Sequence, residues 1–518
     1  MERMVGMTPT VGDIYCVFVE KLQKYTACQV TSIKEPDTSK SNLISILELD
    51  WSSDTLPDES ELHQMKPLYC DYFFWNNKLD HIYVDPAVPK GYIKVGNVPP
   101  LVTEETRSYG SWDVGGSLYR QHKWNQIPEE RRKQFKQAAN DDKMIWLGGK
   151  SLRRSNNVIH ADILRSLTDI SELEKLPCLT RIYAEEPTDS LLAFVKSNPF
   201  ILELHLEKAN GSSLDLIGSH LSKLSLQNAD GLESLHLNDC LRELILDKAI
   251  SSNLFIEAEQ DGYWLTASFS DSLPLHRGLD QLGGLNLRDV TELDLQPLVQ
   301  RYPSLQNLRL WGKPGTLSNL GSIKHLKELL TFTTYDLFGF TGDEFPSPDQ
   351  CPKLSSLWMT SLPAEAAKTI KAAYKKEVKN GLDLSITKPR KPEWLANNLT
   401  NPFRDWDGRE HISTTHANKA ASLYKKMNTA ISALEKQSNE DATTAEEIQT
   451  ALRAWVKEYT ETFNKMDRRT GFIETVEREE IFVVLDELLQ SAKQNLSTTG
   501  VEVDVDELFA IFDQTRDF

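Results

Sequence analysis

Several short stretches combine side chains whose types could do chemistry. Gly149-Lys150-Ser151 matches the end of a phosphate-binding loop, in which backbone N–H groups cradle phosphate. The glycine that opens that pattern is replaced by Met144, and Ile145-Trp146-Leu147 reads as strand, so nucleotide binding is not expected. Phe463, Asp467, Gly471, Phe472, Ile473 and Glu477 lie between two helical stretches in the manner of a calcium loop. Such a loop needs oxygen ligands at positions 1, 3, 5 and 12 and Gly at 6. With Gly471 at 6, Met466, Arg468 and Thr470 take 1, 3 and 5; with Asp467 at 1, Arg469 and Gly471 take 3 and 5. Neither register holds calcium, and a helical hairpin with a basic turn is expected instead.

His411 and His416 fall on different helical faces, and the H-E-x-x-H pattern of a zinc site is absent. Asp405, Asp407 and Glu410 could form a catalytic carboxylate pair, but such a cluster more often makes a solvated turn and helix start. No G-x-S-x-G, G-x-G-x-x-G or kinase-like set is present. The chain therefore reads as a non-enzyme with no cofactor, no metal and no catalytic residue. Two alternatives stand beside that reading: an enzyme with its site at the 390–412 junction, and a regulatory scaffold whose helical end oligomerises.

A stronger signal is geometric, a recurrent L-x-x-L-x-L between about 150 and 390. It occurs as Leu221-Leu224-Leu226, Leu232-Leu235-Leu237, Leu241-Leu244-Leu246, Leu282-Leu285-Leu287 and Leu305-Leu308-Leu310. Looser copies are Leu179-Ile182-Ala184, Ile201-Leu204-Leu206, Val290-Leu293-Leu295 and Leu354-Leu357-Met359. Any one copy also fits a helical face, since i and i+3 lie together there. Repetition favours short strands whose alternate Leu residues enter a core shared by stacked units. The copies start 8 to 49 residues apart. That irregularity suggests a degenerate solenoid with helices on part of its back and an insertion at about 250–278. In each copy the residue between the last two apolar positions points away from the core. Those residues include His205, Ser225, His236, Ile245, Asn286, Asp294, Arg309 and Trp358, with Trp311 and Trp394 flanking. Arg and Trp are the types that dominate protein interfaces, so this set is the expected partner-binding surface.

Around that region, residues 1–100 carry β-type stretches separated by turns at Glu35-Pro36-Asp37, Pro57-Asp58 and Pro89-Lys90-Gly91, predicting a β-rich domain. Residues 101–150 form a linker with a helix over about 128–139. The solenoid fills 151–390, closed by a helix from Pro363-Ala364 to Asn380-Gly381, and an aromatic junction spans 391–412. A helical domain covers 413–518, with a helix over 417–436, a polar break over 438–442, a capping box at Thr444 and Glu447, and a last helix from Asp504. The expected class is α+β multidomain.

Composition bounds the partners. With 58 Lys and Arg against 76 Asp and Glu, the net charge of −18 opposes nucleic acid or an anionic membrane as the partner. No apolar run suits a signal peptide or a span, which predicts a cytoplasmic protein. The six cysteines have no C-x-x-C spacing and are expected to be free, mostly buried thiols.

The middle third resembles the bacterial leucine-rich-repeat class, whose members mostly bind proteins. The N-terminal stretch Val11-Gly12-Asp13-Ile14-Tyr15-Cys16, Lys24-Tyr25-Thr26-Ala27-Cys28-Gln29-Val30, Pro67-Leu68-Tyr69 and Ile93-Lys94-Val95-Gly96-Asn97 resembles immunity proteins of the twenty-sixth family in bacterial polymorphic toxin systems. That likeness covers about the first 100 residues and implies a small β-rich domain that binds a toxin. Together they imply a multidomain adaptor or immunity-type protein whose partner is a protein, a toxin or another effector.

Overall fold

The computed structural model describes residues 9–34, 42–209, 211–247, 249–251, 253–270, 276–439, 444–497 and 500–518. It divides into two compact units, Met1–Pro389 and Arg390–Phe518. The expected turn at Glu35-Pro36-Asp37 and most of the break over 438–442 lie outside the described residues.

The first unit opens with β1 (Asp13–Val19), β2 (Lys24–Lys34), β3 (Leu43–Ser53), the short α1 (Glu59–Leu62), β4 (Tyr69–Cys70), β5 (Lys78–Leu79), β6 (His81–Val84) and β7 (Ile93–Asn97). Five of these strands make an antiparallel sheet in the order β6-β3-β2-β1-β7. Side-chain alternation buries both of its faces. Ile14, Cys16, Ala27 and Leu47 pack on one, and Tyr15, Cys28, Val30 and Ile46 on the other. The linker holds one helix more than expected: α2 (Gly116–Gln126) precedes α3 (Glu129–Ala139). A polar sequence with Gly115-Gly116 at its start hid α2, which buries only Ser117, Leu118 and Trp124. The hairpin of β8 (Met144–Leu147) and β9 (Lys150–Arg153) and the short α4 (Ala161–Leu164) complete this part.

Next come β10 (Val158–Ile159), β11 (Arg181–Ala184), α5 (Asp189–Ser197), β12 (Glu203–Leu206), β13 (Ser213–Asp215), β14 (Lys223–Leu226), β15 (Ser234–His236) and β16 (Glu243–Leu246). They are followed by β17 (Phe255–Glu257), β18 (Thr266–Ser270), β19 (Arg277–Gly278), β20 (Gly284–Asp294), α6 (Leu295–Arg301), β21 (Asn307–Ser318), β22 (Thr331–Phe338), β23 (Ser356–Pro363), α7 (Ala364–Tyr374) and β24 (Asp383–Arg390). An 11-stranded sheet runs β10-β11-β12-β14-β16-β18-β20-β21-β22-β23-β24, and the 4-stranded sheet β13-β15-β17-β19 accompanies it. From β12 to β20 the chain lays strands alternately in one sheet and the other.

That alternation corrects the irregular repeat. The main-sheet turns begin at Leu179, Ile201, Leu221, Leu241, Leu265, Leu282, Leu305, Leu329 and Leu354, in steps of 17 to 25 residues. Leu232-Leu235-Leu237 surrounds β15 in the second sheet, so its short spacings mixed two series. The stretch 250–278 is not an insertion: β17 and β19 continue the second sheet and β18 the first. Helices replace the second strand early, at α5, and late, at α6 and α7. Leu204, Leu224, Leu244, Leu285, Leu308 and Leu357 are all fully buried, each contributing about 1.5–3 kcal/mol over an exposed position.

The N-terminal part packs along the leading ends of these strands. Trp124 and Phe135 meet Phe200, just before β12, at 5.8 and 5.0 Å between ring centroids. Cys178 Sγ donates to the Phe135 carbonyl at 3.3 Å. Lys90 Nζ donates to the Leu354 carbonyl at 2.8 Å, and Tyr263 Oη donates to Glu20 at 3.4 Å.

The second unit holds α8 (Pro392–Asn398), α9 (Thr414–Asn439), α10 (Ala445–Asp467), α11 (Thr475–Ser497) and α12 (Val505–Thr515). Thr444 and Glu447 form the expected capping box, and Asp504 caps α12 through Glu507 N. The core gathers Phe403, Trp406, Tyr459, Phe463, Leu485 and Phe512. Among the described residues no helix is long and apolar enough to cross a membrane, and all six cysteines are free, five of them buried.

Candidate functional site

Each main-sheet strand places its middle outward residue opposite that of the next. Tyr183, His205, Ser225, Ile245, Ser268, Asn286, Arg309, Thr333 and Trp358 form one unbroken row from β11 to β23. Six residues read from the sequence, His205, Ser225, Ile245, Asn286, Arg309 and Trp358, are thereby brought into line. Trp311 stands in the next row, opposite Tyr335 and then Thr360.

Three expected residues fall elsewhere. His236 is on β15 of the second sheet, with Nδ1 2.6 Å from Glu257. Asp294 ends β20 beyond an irregularity in its pairing and caps α6. Its Oδ1 accepts from Gln296 N and Asn319 Nδ2, each at 2.8 Å. Trp394 lies in the second unit, where Nε1 donates to Asp407 at 3.2 Å and the Arg390 guanidinium sits 3.8 Å over its ring.

Sequence reading missed Tyr183, Ser268 and Thr333. Tyr183 was legible between Ile182 and Ala184, a copy already noted. Ser268 and Thr333 sit in turns where Ala267 with Phe269, and Phe332 with Thr334, replace the Leu pair.

The two ends of the row differ chemically. Toward β10, the rings of His160, Tyr183 and His205 stack face to face, at 4.9 and 4.3 Å between centroids. The parallel row below them is a ladder of paired charges. Arg181 donates to both oxygens of Glu203 at 2.7 and 3.0 Å, and Lys223 reaches Glu243 at 3.1 Å. Partial burial holds the His205 imidazole below its ordinary value against the opposing pull of Glu203, so the ring is neutral at pH 7. From β18 to β23 the two rows hold Thr266, Ser268, Gly284, Asn286, Asn307, Thr331, Thr333 and Ser356, with one charge, Arg309, and one large ring, Trp358. Arg309 is exposed between fully buried Leu308 and Leu310, and Trp358 is 47% exposed.

The 390–412 junction is occupied by its own contacts. Asp407 accepts from Arg390 at 2.7 Å as well as from Trp394. Arg409 donates to Glu477 at 2.6 Å and Glu480 at 2.5 Å, while Trp406 Nε1 donates to Glu480 at 2.8 Å. His411 lies 3.1 Å from Glu477, whereas His416 stacks on Phe472 at 4.5 Å, so the two histidines serve different neighbours. In the calcium-like loop Asp467 accepts from Ile473 N at 2.8 Å. Its carboxylate and that of Glu477 are both engaged by groups of the protein. Lys150 pairs with Asp162 beside the Gly148-Gly149 turn of the β8–β9 hairpin. Among the described residues no group of three or more His, Cys, Asp or Glu side chains could hold a metal ion. A cavity of about 660 Å³ opens away from the row, between α6 and Leu320–His325, lined by Gln296, Gln300, Asn319, Ser322, Lys324 and Glu344 among others.

No protein-family model matches the chain, and no curated protein does. The arrangement itself carries the functional argument: a rigid face of aligned, chemically varied side chains.

Proposed function

We propose that the first unit is a leucine-rich-repeat solenoid and that the chain is a non-enzymatic, cytoplasmic protein-binding adaptor of immunity or defence type. The observation that carries this reading is the row itself, whose side chains are held in register by a ladder of parallel strands. A rigid support reduces the ordering cost of association, so each outward group contributes more to affinity. The N-terminal antiparallel sheet is the second recognition element in this reading, with a toxin or other effector protein as the partner. Saturation of Asp407, Glu477 and Glu480 by Arg and Trp donors weighs against an enzyme at the junction.

The test is recovery of partners from native lysate by the wild type and by Arg309→Ala/Trp358→Ala, followed by reconstitution from purified components. Each substitution is expected to cost about 2 kcal/mol or more of binding if central, with an unchanged melting curve. Equal affinity of both proteins for the reconstituted partner would move the binding site off this face.

A further inference from the structure

Resting on that docking reading, we propose that the partner presents an acidic segment, with a side-chain carboxylate gripped by Arg309 and an apolar residue beside it covering Trp358. The argument starts from charge. On the β11–β16 part of the face, Arg181, Glu203, Lys223 and Glu243 neutralise one another in neighbouring pairs. A charge arriving there must break an existing pair.

On the β18–β23 part the situation is reversed. Arg309 makes no hydrogen bond or ion pair among the described residues, although Asn286 and Thr333 are its direct neighbours across β20 and β22. A guanidinium is a planar fork of N–H donors that matches a carboxylate bidentately. Its two cross-strand neighbours are a neutral amide and a hydroxyl, which neither repel an anion nor compete for it; in the next row stand Trp311, Tyr335 and Arg288, the last 3.5 Å from Asp247. Asn286 is held in place beside Arg309: its Nδ2 donates to Ser268 at 3.1 Å, and its Oδ1 is buried.

The apolar half follows from spacing. Trp358 stands two strands from Arg309, about 9.6 Å at ordinary strand separation, and Trp311 is two residues along the same strand, about 6.8 Å away. An extended peptide advancing about 3.3 Å per residue turns every second side chain to the same face, so an acid at Arg309 and an apolar side chain reaching Trp358 stand two or four residues apart. The local positive charge stands on a chain of net charge −18, so the surrounding field rejects acidic segments that do not reach this spot.

The experiment uses the full chain and a displayed library of random 12-residue peptides, with selected peptides resynthesised and measured by anisotropy. Enriched peptides are expected to carry Asp or Glu with an aromatic or aliphatic residue two or four positions away. Their affinity should fall at least tenfold in Arg309→Gln and in Trp358→Ala, and the loss in Arg309→Glu should be relieved when the peptide acid is replaced by Lys. Melting curves of each variant establish that the fold is retained. Peptides that lose binding in Trp358→Ala and Ser268→Arg but not in Arg309→Gln overturn the carboxylate assignment and leave the docking face standing. Selected peptides indifferent to all four substitutions, or no selected peptide at all, overturn both. A single-stranded 20-mer of mixed sequence that binds more tightly than the peptides, in an Arg309-dependent manner, overturns the acidic peptide in favour of an oligonucleotide.

Discussion

Glu48 is the side chain whose environment departs most usefully from its sequence. It lies on β3, 5% exposed, with Oε1 accepting from Leu118 N in the first turn of α2 at 2.8 Å. Burial raises its carboxyl from the ordinary 4.5 to about 7; Asp80 and Asp113 add to the rise, and the backbone hydrogen bonds oppose it. The folded chain thus holds this proton more tightly than the unfolded chain, and its contribution to stability falls as pH rises from about 4.5 through about 7. Glu48→Gln keeps the amide acceptor for Leu118 and removes the titration. The variant should match the wild type near pH 5 and exceed it at pH 8 by up to about 3 kcal/mol. Urea melts at both values check this, and parallel behaviour of the two proteins would contradict it. Nothing in the sequence around Glu48 announced this, because the acid reads as one polar position in an alternating strand. Its partner helix was unseen for the same reason, having a weakly apolar face. Arg309 and Trp358, in contrast, were legible, since buried Leu neighbours fix which way they point.

At the scale of elements, alternation decides what a substitution does. Leu285 and Asn286 are adjacent on β20, the first fully buried and the second facing outward. Leu285→Ala removes packing from the shared core and should cost about 2–5 kcal/mol in chemical denaturation. Asn286→Ala removes an amide whose oxygen has no donor, and should stay within about 0.5 kcal/mol of the wild type. Comparable losses at the two positions would mean the strand does not present its faces as described. The strands were readable wherever Leu held both inner positions and obscure wherever Ala, Phe or Thr took one, as at Ala267 and Phe332. The second sheet was harder still. Its strands are only two or three residues long, and one of them mimicked a main-sheet repeat, so spacing alone mixed two series. Asp294 was misplaced for a related cause: an outward position at the end of a strand is also the natural cap of the helix that follows.

At the scale of the molecule, the two units have separate cores. All the buried residues packed with Phe403 and Trp406 come from beyond Arg390, and α9 to α12 supply most of them. Residues 390–518 made alone should therefore fold as a helical domain with a cooperative melt, as judged by circular dichroism, and residues 9–389 should do so as a β-rich one. A non-cooperative melt from the shorter piece would show that its core depends on the rest of the chain.

The packing of the N-terminal part against the leading ends of the parallel strands has a consequence in time. As the chain leaves the ribosome, the antiparallel sheet is complete by about residue 97 and α3 by residue 139, yet the groups that this N-terminal part rests on come later: Cys178, Phe200, Tyr263 and finally Leu354. The contact between Lys90 and Leu354 closes a loop of 264 residues. Contacts of such long range form slowly, and until they form the apolar surface of Trp124 and Phe135 is waiting for a neighbour not yet synthesised. Nascent chains stalled between residues 150 and 200 are thus the species most in need of a chaperone, and each further turn that emerges shortens that need.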